Sequence, residues 1–141
     1  MLGGVVRPSV SSVKIGDVEF SAESVSVGFS TAVGGAGAPL MGTFHASVEV
    51  VVNIHDDRNV PFANLKELFI LAKIVTRDKI KTVEVYFWKD ESHMDVICHY
   101  KFEGWISHFQ THSAGDGNHT LTMSLQPKLD QNNYPVIDIM N

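Results

Sequence analysis

"GTFHASVEVVVNI", residues 42–54, alternates apolar and polar side chains over twelve positions. Phe44, Ala46, Val48, Val50, Val52 and Ile54 fall on one face, and Thr43, His45, Ser47, Glu49 and Asn53 on the other. Successive strand residues point to opposite sides, so this stretch is a strand with one buried face. Other segments read the same way. "SVKIGDVEFS" holds two short alternating runs joined at Gly16-Asp17, the mark of a tight hairpin, and "ESVSVGF" follows. "KTVEVYFWKD" aligns Val83, Val85 and Phe87 on one face, and a turn at "DESH" leads into a long run from Met94 to about Thr111. In that run Val96, Cys98, Tyr100 and Phe102 share a face, and a bulge is expected at Gly104. Beyond it the register is open, because a one-residue slip would exchange Trp105 and Ile106. "HTLTMSLQ" places Leu121, Met123 and Leu125 inward, with Thr120, Thr122, Ser124 and Gln126 outward, and Pro127 ends the run.

A single helix interrupts this pattern at "NVPFANLKELFILAK", residues 59–73. Asn59 is placed to cap it and Pro61 suits its first turn, while Asp56 and Asp57 sit where the helix dipole favours negative charge. At ~100° per residue, Phe62, Leu65, Leu68, Phe69 and Ala72 form one apolar stripe. Ile70 and Leu71 lie off that stripe, and burying them calls for a second surface, such as a neighbouring subunit. Antiparallel strands with Gly-rich turns and one helix predict a mainly β fold, a small β-barrel of two antiparallel sheets with one flanking α-helix.

The 141 residues, 44% apolar and 19% charged, predict one domain over residues 1–141 with a sizeable core. Residues 1–11 and 128–141 read as extensions, the latter with an edge strand at Val136 to Met140. A formal charge of −5, with 11 Lys and Arg, argues against a nucleic-acid groove. No basic run suggests a membrane surface. "MLGGVVRPSV" is too short and too broken by Gly and Pro for a signal-peptide core, so a cytoplasmic protein is expected. Cys98 is the only cysteine and reads as a small core hydrophobe, since no internal disulfide is possible.

Sites for chemistry are weak. Seven histidines, His45, His55, His93, His99, His108, His112 and His119, raise the question of a metal. His55-Asp56-Asp57 is the best local cluster, yet acidic residues before a helix are expected on dipole grounds alone. His108 and His112 have helical ligand spacing but lie on a strand, where four residues span ~13 Å. "VGGAGAPLMG" lacks the ending of a phosphate loop and runs into a strand, so a projecting loop is the simpler reading. No nucleophile elbow and no distinctive carboxylate pair is present, and the expectation is a protein without catalytic residues, metal or cofactor.

The order "VKIGD", Gly-rich loop, long strand, "NVPFANLKELFILAK", "KTVEVYFWKD", "CHYKFEGWIS", "HTLTMSLQP" resembles the Hcp tube protein of type VI secretion systems, itself similar to phage tail-tube proteins. The resemblance covers roughly Ser12 to Pro127. It implies subunits that close into rings of six, stacked into a tube that a contractile sheath expels together with a spike protein and effector cargo. Such a protein is cytoplasmic and then secreted without a signal peptide. The resemblance also implies ring and stacking contacts in the loop Thr31 to Gly42, through Gly34, Gly35, Ala36, Gly37, Pro39, Leu40 and Met41. This glycine-rich loop has little apolar surface of its own and is expected to need a partner to order it. Ile70 and Leu71 are the expected helix contacts with another subunit. A phage tail-tube subunit, the one version in which nucleic acid would be a partner, is the first alternative. A small-ligand-binding β-barrel is the second, and it needs a hollow interior where this sequence supplies Phe44, Phe87, Tyr100, Phe102 and Met123. A metal-dependent enzyme ranks last.

Overall fold

The computed structural model describes residues 9–38, 45–54, 60–131 and 134–141. Its elements are β1 (Ser11–Ile15), β2 (Val18–Ser21), β3 (Ser24–Ser30), β4 (His45–Asn53), α1 (Phe62–Ala72), a single 3-10 turn (Arg77–Lys79), β5 (Lys81–Trp88), β6 (Val96–Ser113), β7 (His119–Pro127) and β8 (Ile137–Met140). All pairings are antiparallel and run in the order β2-β1-β5-β6-β7-β4-β3, with β8 added to β6. The mainly β fold with one helix is as the sequence predicts. The arrangement differs in one respect, because a single eight-stranded sheet replaces the two expected, and its ladder is not closed.

The chain itself explains how one open sheet encloses a core. The strands at the two ends of this order, β2 and β3, are consecutive in sequence and separated only by Ala22 and Glu23. Ala22 donates its N–H to Ser11 at the start of β1 (3.0 Å), and Glu23 donates to Val51 in β4 (2.8 Å). Two adjacent residues thus hand the backbone from one end of the sheet to the other, which forces the sheet to curl. The inward faces then meet. Val13, Val48, Val50, Val52, Val83, Val85, Leu121, Met123 and Leu125 are fully buried in one cluster with Phe20, Phe102 and Ile106. The alternation read in β4, β5 and β7 therefore holds across the core; Phe44 lies outside the described residues.

Turn chemistry and charge fix the register. Gly16, at φ +60°, makes the two-residue β1–β2 turn in a conformation that only glycine adopts freely. On the outer face a row of opposed charges crosses five strands: Glu19, Lys14, Glu84, Lys101 and Asp138 are successive cross-strand partners. This alternation of sign places opposite charges across each strand pair and favours the observed register over a slipped one.

The bulge in β6 is not at Gly104. Pairing runs unbroken there, with Gly104 opposite Lys81 on one side and Pro127 on the other; extra residues fall instead between Val96 and Cys98 against β5 and between Ile106 and His108 against β7. Ile106 faces the core and Trp105 opposes Gln126 on the outside; past the bulge Phe109 turns inward opposite Met123. Glycine at 104 answers a different need. A Cβ there would lie 2.4 Å from the Gln126 carbonyl oxygen and 2.7 Å from the Phe102 ring. Because Gln126 is held in the β7 ladder, Gly104→Ala should lower stability by about 1–3 kcal/mol, read as a lower urea midpoint at unchanged slope.

The helix starts later than the sequence suggests. Pro61 occupies the N-cap position, and its carbonyl accepts the Asn64 and Leu65 N–H groups at 2.9 and 3.0 Å. Asn59, Asp56 and Asp57 lie outside the described residues. The helix is also turned about its axis relative to the expected stripe. Leu68 and Leu71 are buried and Leu65 and Ala72 half-buried, whereas Phe62 projects into solvent and Phe69 keeps 49% of its surface. Helix α1 packs on β6 and on the edge strand β2, so it covers the open flank of the curled sheet.

Candidate assembly surfaces

The loop after β3 is described as far as Ala38; Pro39, Leu40, Met41 and Gly42 lie outside the described residues. Its described part closes on itself. The Gly34 N–H donates to the Ala38 carbonyl (2.7 Å), the Gly37 N–H donates to the Gly34 carbonyl (3.0 Å), and Gly37 sits at φ +80°. A compact turn thus stands where a loop with no structure of its own is expected. Val33, Gly35, Ala36, Gly37 and Ala38 are exposed.

Ile70 is 42% exposed on the outer side of α1. Leu71 is only 7% exposed and belongs to the core cluster, so the expectation that both offer contact surface is corrected for Leu71. Phe69 packs edge-on against Phe109, with ring centroids 5.9 Å apart, and the two rings border a shallow pocket with Ala72, Lys73, Ser107 and His108.

The edge strand read at Val136 to Met140 forms as β8 over Ile137–Met140, opposite Phe102 to His99. The preceding segment folds back through the Leu129–Pro135 bridge. Beneath it lies an open pocket of about 400 Å³ bordered by Lys101, Phe102, Lys128, Leu129, Val136 and Asp138. On the inner face, Ile139 opposes Tyr100, which meets Phe87 edge-on at 5.8 Å and Phe29 at 6.2 Å. Ile139 and Phe29 are exposed, so this end of the curled sheet is apolar and open where α1 covers the other side.

The outer face of β5 and β6 carries an element that sequence reading missed. His99 stacks on Tyr86 (4.3 Å), Tyr86 on Trp88 (5.1 Å) and Trp88 on His93 (4.8 Å), all within 13° of parallel. The Trp88 indole N–H donates to Ser12 Oγ (2.9 Å), and His93 Nε2 lies 2.6 Å from the Ser9 carbonyl oxygen. Four rings thereby fasten the entry to β1 onto the β5–β6 hairpin. The signal was present in period-2 spacing, since Tyr86 and Trp88 share a face, but His93 reaches the stack only because its backbone takes φ +56°.

Chemistry is thin around these surfaces. Burial raises the phenol pKa of Tyr86 and Tyr100, aided by the Glu84 and Glu19 carboxylates at Tyr86 and by Cys98 at Tyr100. His99 Nε2 is buried 3.6 Å from Glu84, and Cys98 is half-buried on the inner side. Among the described residues no three of His, Cys, Asp and Glu come together around a common point. His108 and His112 both lie in β6, and His55 is outside the described residues. No described helix is long and apolar enough to cross a membrane.

These features define a class: a curled antiparallel sheet around a filled core, with one covering helix, a projecting turn and open strand edges. Hcp proteins have this fold. Hcp1 from Flavobacterium johnsoniae aligns over 92% of this chain and 94% of its own, at TM-score 0.65 and 13% identity. A second Hcp protein aligns over 93% and 98%, at TM-score 0.62 and 14% identity. A chain from the tail of an empty GTA particle, a helical assembly of C6 symmetry, aligns over 86% and 84%, at TM-score 0.53 and 8% identity. No family model matches the sequence, and no curated protein matches it closely enough to count.

Proposed function

We propose that this chain is a structural tube subunit of the Hcp type, which assembles by self-association and carries no catalytic site of its own. The observation that carries this reading is the likeness to Hcp proteins over more than nine-tenths of both chains, with no large insertion left over for a separate active site. The filled core supports it against a small-ligand barrel, whose interior would have to be hollow. Six subunits per ring is the natural closure, in keeping with the C6 symmetry of the GTA tail.

In the type VI version, rings formed in the cytoplasm stack into a tube that leaves the cell without a signal peptide, driven by a contractile sheath, with a spike protein and effectors as further partners. The turn Gly34 to Gly37 and the following Pro39, Leu40 and Met41 would make ring contacts, with Ile70 on the helix as a second contact. A tail-tube subunit of a phage-derived particle is the second reading, favoured by the likeness to the GTA tail.

Purified protein should elute as a closed oligomer, with a mass from light scattering near six times 15.5 kDa, and show rings in negative stain. A strictly monomeric species at every accessible concentration would reject both versions.

A further inference from the structure

Strand β5 separates two ends of the molecule with opposite chemistry. Eight residues at ~3.3 Å each place these ends roughly 25 Å apart. Before the strand, Lys73 to Lys81 contains Lys73, Arg77, Lys79 and Lys81 against one carboxylate, Asp78, in a chain whose net charge is −5. After it, the β5–β6 turn carries Asp90, Glu91 and Asp95 against Lys89 and His93. Asp17 and Glu67 border a pocket with half-buried Lys81 and temper the basic end there, while Lys73 and Arg77 are exposed and Lys79 is half-buried. Among the described residues Lys73, Arg77, Glu91 and Asp95 are exposed and make no ion pair.

Backbone strain marks the same two places. Ile74 and His93 are the non-glycine residues at positive φ among those described, at +50° and +56°. A β-branched residue avoids this conformation, and the position just past a helix is where glycine is ordinarily found. Yet Ile74 is 75% exposed, so its side chain does little for its own fold. At the other end the bend at His93 sends Met94 outward, 80% exposed. That bend is built firmly: Lys89 N–H donates to Asp95 O (2.8 Å), Asp90 Oδ1 accepts the Ser92 N–H (2.9 Å), and the His93 ring is stacked on Trp88. Each end therefore holds one large apolar side chain out among charges, at the expense of local comfort.

From this pairing we infer that the two ends are complementary halves of one contact between copies of this chain: Ile74, Lys73 and Arg77 of one copy dock on Met94, Glu91 and Asp95 of the next. A contact between different patches at opposite ends is heterologous, so it sets the copies head to tail with a common polarity. It rests on the self-associating reading above and adds to it the residues of one contact and a salt dependence.

Charge reversal at each end tests it. Lys73→Glu with Arg77→Glu leaves both ends acidic, and Glu91→Lys with Asp95→Lys leaves both basic. All four sites are exposed, so each variant should melt as the parent does. By sedimentation velocity, raising NaCl from 50 to 500 mM should weaken higher-order association of the parent by about tenfold or more. Each reversed variant alone should lose that association at low salt, and a 1:1 mixture of the two should regain it. Ile74→Gly should melt at the same or a higher temperature while associating about tenfold more weakly. Reversed variants that associate like the parent, or a mixture that fails to recover, overturn the charged contact even where rings form. A parent that never associates overturns the tube reading as well.

Discussion

Leu68→Ala should destabilise the isolated subunit by about 3–5 kcal/mol, whereas Phe69→Ala should cost about 1–2 kcal/mol, although phenylalanine is the larger side chain. Leu68 is completely buried where α1 meets the sheet, in the same cluster as Leu71 and Ile106, so its removal leaves a cavity. Phe69 touches Phe109 edge-on and keeps half its surface in water, so much of its transfer free energy is not gained on folding. Chemical denaturation of the two variants checks the order. If Phe69→Ala proves the more damaging, the helix sits on the sheet as the sequence stripe suggests and not as described above.

That reversal shows where the sequence is legible. Alternation in β4, β5 and β7 is a two-state property, inward or outward, and a hydrophobic residue in the wrong parity would be obvious. A helix offers no such binary choice. Phe62, Leu65, Leu68, Phe69, Ile70, Leu71 and Ala72 surround more than half of α1 with apolar side chains. Which part faces the core depends on the shape of the flank it covers, and that shape comes from long-range pairing. The bulge in β6 is hidden for a similar reason. Gly104 has the local look of an irregularity, but the irregularity is set by how β6 must match both β5 and β7, and glycine is needed for the close approach of Gln126. Even the single sheet follows from a long-range fact. Ala22 and Glu23 look like any short connection until their hydrogen bonds to β1 and β4 show that they join the two ends of the ladder.

The candidate contacts were legible to a different extent. The Gly-rich stretch announces a projecting loop through composition, and the exposed turn agrees in position. Its internal hydrogen bonds, Gly34 to Ala38 and Gly37 to Gly34, depend on a positive φ at Gly37 that composition permits without specifying. Ile70 and Leu71 look alike in sequence, one residue apart and both off the stripe. Only the rotation of the helix sends one to solvent and the other to the core. The tips of β5 were invisible for the same reason that His93 was: a positive φ at a β-branched or imidazole side chain has no sequence signature.

Removing Gly34 to Ala38 should leave the subunit folded and abolish the tube assembly proposed above. The turn closes on its own backbone, and four of its five residues are exposed, so its deletion takes no side chain out of the core. Strands β3 and β4 remain paired from Ser24–Val51 to Ser30–His45, which holds the ends of the connection independently of the turn. A shorter connection lowers the loop-closure entropy slightly, so the melting temperature should stay within about 3 °C of the parent. Association should respond quite differently. A contact repeated around a ring multiplies a small interaction by the number of subunits, and a loss of about 1–2 kcal/mol per contact would then remove stacking at micromolar concentration. Gel filtration with light scattering reads the ring, negative stain reads the tube, and a thermal melt reads the fold. Tubes of ordinary length from the shortened protein would show that the turn makes no assembly contact. A collapsed melting transition would show instead that the turn supports the β3–β4 pairing, and its glycines would then serve the fold of the single chain.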